Sequence, residues 1–136
     1  MTKTKLYLDM DGTIADLYGI ENWLPRLRKS DESIFIECKP IISEKELLNH
    51  FPTEKYEIII LSMTPLGATD EYCENVKTQK DIWLDKYFPS LTKRIYRAYG
   101  HNKNLKNSQS AILVDDSAPI RESWRGIALN PTDLWG

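Results

Sequence analysis

Leu6-Tyr7-Leu8-Asp9-Met10-Asp11-Gly12-Thr13 is the stretch on which the fold turns: an apolar run that delivers two carboxylates onto a glycine turn. Alternating apolar residues mark a buried strand, and Gly12 gives the backbone freedom for an abrupt turn, so Asp9 and Asp11 leave the sheet at one edge and close together. Two like charges held side by side call for a cation. Oxygen-only ligands suit Mg²⁺, and an aspartate beside Mg²⁺ can serve as a nucleophile toward phosphorus. A calcium loop of the EF-hand type is ruled out by spacing: its glycine stands at loop position six, whereas Gly12 falls at position four counted from Asp9. A plain turn after a strand would account for Asp11-Gly12 alone, and the rest of the chain bears on that alternative.

The chain has 136 residues and 15.8 kDa, enough for one domain with a real core, and a single domain over 1–136 is expected. Hydrophobic residues at 41% and a net charge of −2 lack the basic excess of a non-specific nucleic-acid binder, although a nucleic-acid substrate stays open. Basic residues concentrate only at Lys93, Arg94, Arg97, His101, Lys103 and Lys106, and a solvated face is the expected reading of that cluster. Cys38 and Cys73 are far apart, which speaks against a disulfide scaffold or a zinc site. The first residues lack the apolar core of a signal peptide and no stretch has the length of a membrane span, so a cytoplasmic location without membrane partners is expected.

Short apolar runs at Leu6–Leu8, Ile58–Leu61, Ile95–Tyr99, Ala111–Val114 and Ile127–Leu129 alternate with helical patterns, the order of an α/β fold with a parallel sheet. Tyr72, Val76, Gln79, Trp83 and Tyr87 lie at helical spacing, closed by Pro89. Ser43-Glu44-Lys45-Glu46 reads as a capping box opening a short helix through Leu47, Leu48 and Phe51. Ser117 is expected to cap a helix with Pro119 in its first turn and Ile120 and Trp124 in its body.

Ligands of such folds sit beyond the carboxyl ends of the strands. There the chain supplies Asp9 and Asp11, then Ser62, Thr64 and Pro65, then Asp115, Asp116 and Ser117. Helix capping would explain one acidic or hydroxyl residue after the fourth run, but hardly two consecutive carboxylates facing an existing acidic pair. With these residues in view, the chain resembles the haloacid dehalogenase-like (HAD) phosphohydrolases. Leu-Asp-Met-Asp-Gly-Thr at 8–13, Ile-Ile-Ile-Leu-Ser at 58–62, Lys80-Asp-Ile-Trp83 and Ile-Leu-Val-Asp-Asp at 112–116 look like motifs I to IV, in order and across essentially the whole chain. The pattern is most similar to the 5′(3′)-deoxyribonucleotidase branch and its bacterial and phage relatives.

The resemblance implies a Rossmann-like parallel sheet flanked by helices, with a small helical cap inserted after the first strand, and a Mg²⁺-dependent phosphomonoesterase. Asp9 would attack phosphorus to give an aspartyl-phosphate, while Asp11 protonates the leaving oxygen and later deprotonates water. Mg²⁺ would be held by Asp9, the backbone carbonyl of Asp11 and Asp116, with Asp115 a weaker ligand or an orienting group. Ser62 would contact a phosphate oxygen and Lys80 would spread positive charge over the same group; Thr64 competes with Ser62, and Lys77 and Lys103 compete with Lys80.

The cap would span residues 17–51, where Tyr18, Trp23, Leu24, Leu27, Ile34 and Phe35 either form a lid or pack on the core. Trp23 and Phe35 are the candidates for stacking on a base. Thr13 is expected to support the turn and phosphate loop, and Trp83, Trp124 and Trp135 to be packing residues. The expected partner is a small phosphorylated substrate, with a nucleoside monophosphate foremost. A macromolecular phosphate and a non-catalytic binding module are the alternatives, and the sequence leaves the oligomeric state open.

Overall fold

The computed structural model describes residues 2–31, 33–65, 67–100 and 102–136. Its centre is a five-stranded, wholly parallel sheet built from β1 (Thr4–Leu8), β2 (Tyr56–Thr64), β3 (Arg94–Ala98), β4 (Ile112–Val114) and β5 (Ile127–Leu129), in the order β3-β2-β1-β4-β5. Parallel neighbours need crossovers, and helices supply most of them: α1 (Trp23–Arg28), α2 (Ile34–Glu37) and α3 (Glu44–His50) lie between β1 and β2. Next come α4 (Asp70–Tyr87) between β2 and β3 and α5 (Ala118–Ser123) between β4 and β5.

Strand alternation divides the core. Leu6 and Leu8 face one apolar layer with Val76, Trp83, Leu84 and Leu47, while Tyr7 faces the other with Leu61, Leu113 and Trp124. β1 is central and the order of connection reverses beside it, so the carboxyl edge around β1 is where this topology opens a crevice. Leu8 pairs with both Ile60 and Val114, which brings Asp9 and Asp115 out of the sheet side by side.

Several local expectations change. β2 runs on to Thr64 rather than ending at Leu61, because β3 keeps pairing with it: Ser62 with Tyr96, Met63 with Arg97 and Thr64 with Ala98. Ser62 and Thr64 are therefore strand residues on one face, not loop residues beyond it. The Ser43 hydroxyl accepts from the Glu46 N–H at 3.1 Å, and the Glu46 carboxylate meets that hydroxyl at 3.2 Å, so half of the expected box forms. Ser117 makes no side-chain cap; Asp115 Oδ1 takes the Ser117 N–H instead, at 2.9 Å. Trp124 ends α5 rather than lying within it, and its indole donates to the Ala111 carbonyl.

The segment 17–51 does not behave as one unit. α3 buries Leu47 and delivers Phe51 into the main core, and α2 buries Ile34 and Phe35. Of these three helices α1 alone buries none of its residues. Among the described residues no helix is long and apolar enough to cross a membrane. The basic cluster also dissolves: Lys93 pairs with Glu57, Arg94 with Asp81 and Asp85, Arg97 reaches the Asn104 carbonyl, and Lys103 is buried. His101 lies outside the described residues.

Trp83 ties α4 to the β1–β2 connection, its indole N–H donating to the Cys38 carbonyl at 2.7 Å inside the core. Trp83→Phe keeps most of the apolar bulk but strands that carbonyl, so unfolding in urea should show a loss of about 1–3 kcal/mol.

Candidate active site

The carboxyl edge of β1, β2 and β4 opens into a cavity of about 830 Å³ whose walls include Asp9, Asp11, Thr64, Lys103, Asp115 and Asp116. The β1 turn is fixed by its own backbone: the N–H groups of Thr13, Ile14 and Ala15 converge on the Met10 carbonyl, and Gly12 returns to Ala15. Gly12 has φ +82°, and a Cβ there would run into the Asp116 carboxylate and the Tyr18 ring. Glycine is thus needed twice, for the turn and for the approach of Asp116.

Asp9 is 7% exposed and both of its oxygens are held. Lys103 Nζ donates to Oδ1 at 2.7 Å and the Thr13 hydroxyl to Oδ2 at 2.9 Å. Burial alone would raise this carboxyl, but the Lys103 charge and the hydrogen bonds to Asp9 outweigh it and hold it below its ordinary value. Lys103 also donates to Asp115 Oδ2 at 2.7 Å and to the Leu61 carbonyl at 3.0 Å. Burial would lower this ammonium, yet the charges of Asp9 and Asp115 keep it firmly protonated.

A second lysine serves Asp11. Lys80, fully buried on α4, donates to Asp11 Oδ2 at 2.9 Å, to the Ser62 hydroxyl at 2.7 Å and to the Met63 carbonyl at 3.1 Å. The expected pair Ser62 and Lys80 is thus brought together, but beneath the site: neither lines the cavity. The ammonium on the cavity wall is that of Lys103, which the motif resemblance places behind Lys80. Lys77 is engaged by Glu74 on the surface of α4. Thr64 does line the cavity, with its hydroxyl donated to the Arg97 carbonyl at 3.3 Å.

Asp9, Asp115 and Asp116 offer carboxylate oxygens that all lie within 4.8 Å of one another. Asp116 is pushed up to about 8 by burial, by its hydrogen bond with Asp9 and by the charges of Asp9 and Asp115. Asp115 is raised too, through burial and the charge of Asp9, against the pull of Lys103. Four carboxylates face two ammoniums here, so full ionisation leaves two negative charges unmatched. That deficit and the all-oxygen donor set fit a hard divalent cation. Asp115 already accepts on both oxygens, from Lys103 and from the Ser117 N–H, which suits it to orienting its neighbours. Asp11 sends its side chain to Lys80 and leaves Oδ1 buried with no partner among the described residues.

Of the two stacking candidates, Phe35 is 2% exposed, with the Lys80 ammonium 5.1 Å from its ring centroid. It is an interior ring that reaches the cavity wall. Trp23 is half-buried, packs edge-on against Tyr18 at 4.8 Å and also lines the cavity. Burial and the charges of Asp116, Asp11, Asp9 and Asp115 suppress ionisation of the Tyr18 phenol.

Two residues that sequence reasoning passed over hold Lys103 and one wall. Asn104 brackets the loop of Lys103: its amide donates to the Ser123 carbonyl at 2.7 Å, its side-chain oxygen accepts from the Arg125 N–H at 2.9 Å, and its carbonyl receives Arg97. Arg28, at the end of α1, lines the cavity. Only an Asn in a polar loop and an Arg on a helix are visible in the sequence, and neither pattern is distinctive. Asn104→Ala should loosen this bracket, with amide exchange over 102–107 accelerating by about tenfold and Lys103 becoming open to acylation in the folded protein. Hydrogen-exchange and lysine-labelling mass spectrometry check it. Compared with known proteins, the chain matches no family model and no curated sequence.

Proposed function

We propose that the protein is a Mg²⁺-dependent phosphomonoesterase that works through an aspartyl-phosphate on Asp9 and acts on a small phosphate ester, with a nucleoside monophosphate the foremost candidate. The observation that carries this reading is the state of Asp9: a carboxylate at the cavity wall, kept ionised and aimed by Lys103 and Thr13, with a second carboxylate, Asp11, two residues away. The order of the HAD-like motifs agrees with it, and a walled cavity with aromatic lining favours a small ligand over a macromolecular surface.

An oxygen of Asp9 attacks phosphorus as the bond to the leaving oxygen breaks, and Asp11 gives that oxygen its proton. Water then attacks the phosphorus of the acyl-phosphate, Asp11 takes the water proton, and phosphate leaves with Asp9 restored. Lys103 remains protonated throughout and offsets negative charge beside Asp9. Lys80 keeps Asp11 in place from below. Bound by Asp9, the Asp11 carbonyl and Asp116, Mg²⁺ would neutralise phosphate oxygens and make attack by a carboxylate feasible.

Asp9→Asn should abolish phosphatase turnover while the circular dichroism spectrum stays native, and chelation should abolish it reversibly. Retained turnover in folded Asp9→Asn removes the covalent mechanism. Asp11→Asn should cost on the order of 10²–10⁴-fold with a poor leaving group and less with nitrophenolate, which needs little protonation. Steady-state rates on an alkyl and a nitrophenyl phosphate test this difference, and equal losses on both argue against the acid role.

A further inference from the structure

Arginine appears twice on α1, and the two side chains have opposite fates. Arg26 is fully engaged: it pairs with Asp31 at 2.7 Å, with Glu37 through both terminal nitrogens, and reaches the Ser33 hydroxyl. This clasp fixes α1 to the segment that leads into α2. Arg28, exposed and two residues further on, makes no hydrogen bond or ion pair with any other described residue.

Helical geometry places residues two apart about 200° around the axis, so the clasp on Arg26 turns Arg28 the other way. Residues four apart share a face, and Leu24, four before Arg28, lines the cavity, as do Trp23, Leu27 and Arg28 itself. The only other lysine or arginine among the described cavity residues, Lys103, is committed to Asp9 and Asp115. Much of the remaining wall is apolar, including Leu17, Met63, Pro65 and Ile120. A guanidinium without a partner, on a helix held rigid by its neighbour, stands ready for an anion that enters the cavity.

On the proposed reading the scissile phosphate lies beside Asp9 at the sheet edge, where Lys103 already stands, whereas Arg28 is carried by α1 in the connection that follows β1 and is open to a second anion. The aspartate end repels any second negative charge, so a ligand bearing two would favour placing the second toward Arg28. We propose that Arg28 is a second anion-binding point, so that among small phosphate monoesters the site binds most tightly those carrying, beyond what a plain nucleoside monophosphate offers, a further carboxylate or phosphate away from the scissile group. The inference rests on the phosphomonoesterase reading for its scissile end.

Calorimetric titration of the full chain with Mg²⁺, using non-hydrolysable phosphonates, separates the two. The probes are phenylphosphonate, its 4-carboxy and 4-phosphono derivatives, and the same three on a biphenyl spacer. In the wild type a second charge on at least one spacer should tighten binding about tenfold; Arg28→Gln should erase that gain while binding the probe that lacks the second charge as before. Arg28→Lys should keep part of it, and the carboxy and phosphono arms tell which anion is preferred. Tightening that survives Arg28→Gln, or a wild type indifferent to the second charge on both spacers, overturns the inference alone. Failure of every phosphonate to bind, the simple ones included, removes the phosphate end and this inference with it.

Discussion

One buried ammonium holds the site together. Lys103 Nζ joins Asp9 at the end of β1, Asp115 at the end of β4 and the Leu61 carbonyl within β2, so three neighbouring strands are linked through one charge. At 3% exposure it has surrendered its water, and only the two carboxylates make that tolerable. The dependence runs both ways, because Asp9 and Asp115 are themselves buried and sit next to each other by virtue of the β1–β4 register. Removing the lysine would leave two facing carboxylates with no nearby countercharge, so the position is far more constrained than a loop lysine ordinarily is.

The same accounting explains Asp116. Lys103 offsets Asp9 and Asp115 only in part, and Lys80 is turned toward Asp11. Asp116 therefore comes last in a crowded set, pressed over Gly12 where no side chain could fit, and without a cation it retains its proton to about pH 8. A divalent cation would compete with that proton for the same oxygens. The close approach over Gly12 and the unmatched charge are two sides of one arrangement: the backbone leaves room for a carboxylate that electrostatics would otherwise expel.

Much of this was legible from the sequence because it follows from strand periodicity. The five apolar runs became the five strands, and the carboxylates that follow the first and fourth runs converge because those strands are neighbours. What escaped reading depends on partners distant in the chain. Ser62 looked like a residue beyond a strand because its pairing partner, Tyr96, lies on another strand. Ser117 makes no side-chain cap; its own N–H is taken by Asp115, a side chain already fixed by Lys103, and Pro119 removes one of the N–H groups that a cap would meet. The preference for Lys80 over Lys103 rests on motif context. Which ammonium touches Asp9 is decided instead by the path of a loop, pinned by Asn104 to Ser123 and Arg125, that carries no periodic signal.

Two lysines with separate carboxylates suggest a reason for the division itself. Asp9 and Asp11 leave the same strand two residues apart, yet their surroundings differ. Lys103 meets Asp9 from the loop after β3 and touches the cavity, whereas Lys80 meets Asp11 from α4 with no exposure and shares its protons with Ser62 and the Met63 carbonyl. Asp9 has hydrogen bonds on both oxygens; Asp11 has one oxygen tied and one unpartnered among the described residues. On the proposed mechanism that asymmetry is what the chemistry requires. A nucleophile must stay ionised and aimed, while a proton carrier needs an oxygen free to hold a proton and release it. The connection between β1 and β2 enters through Phe35, whose ring lies against Lys80, so the packing of α2 reaches Asp11 through a single ammonium.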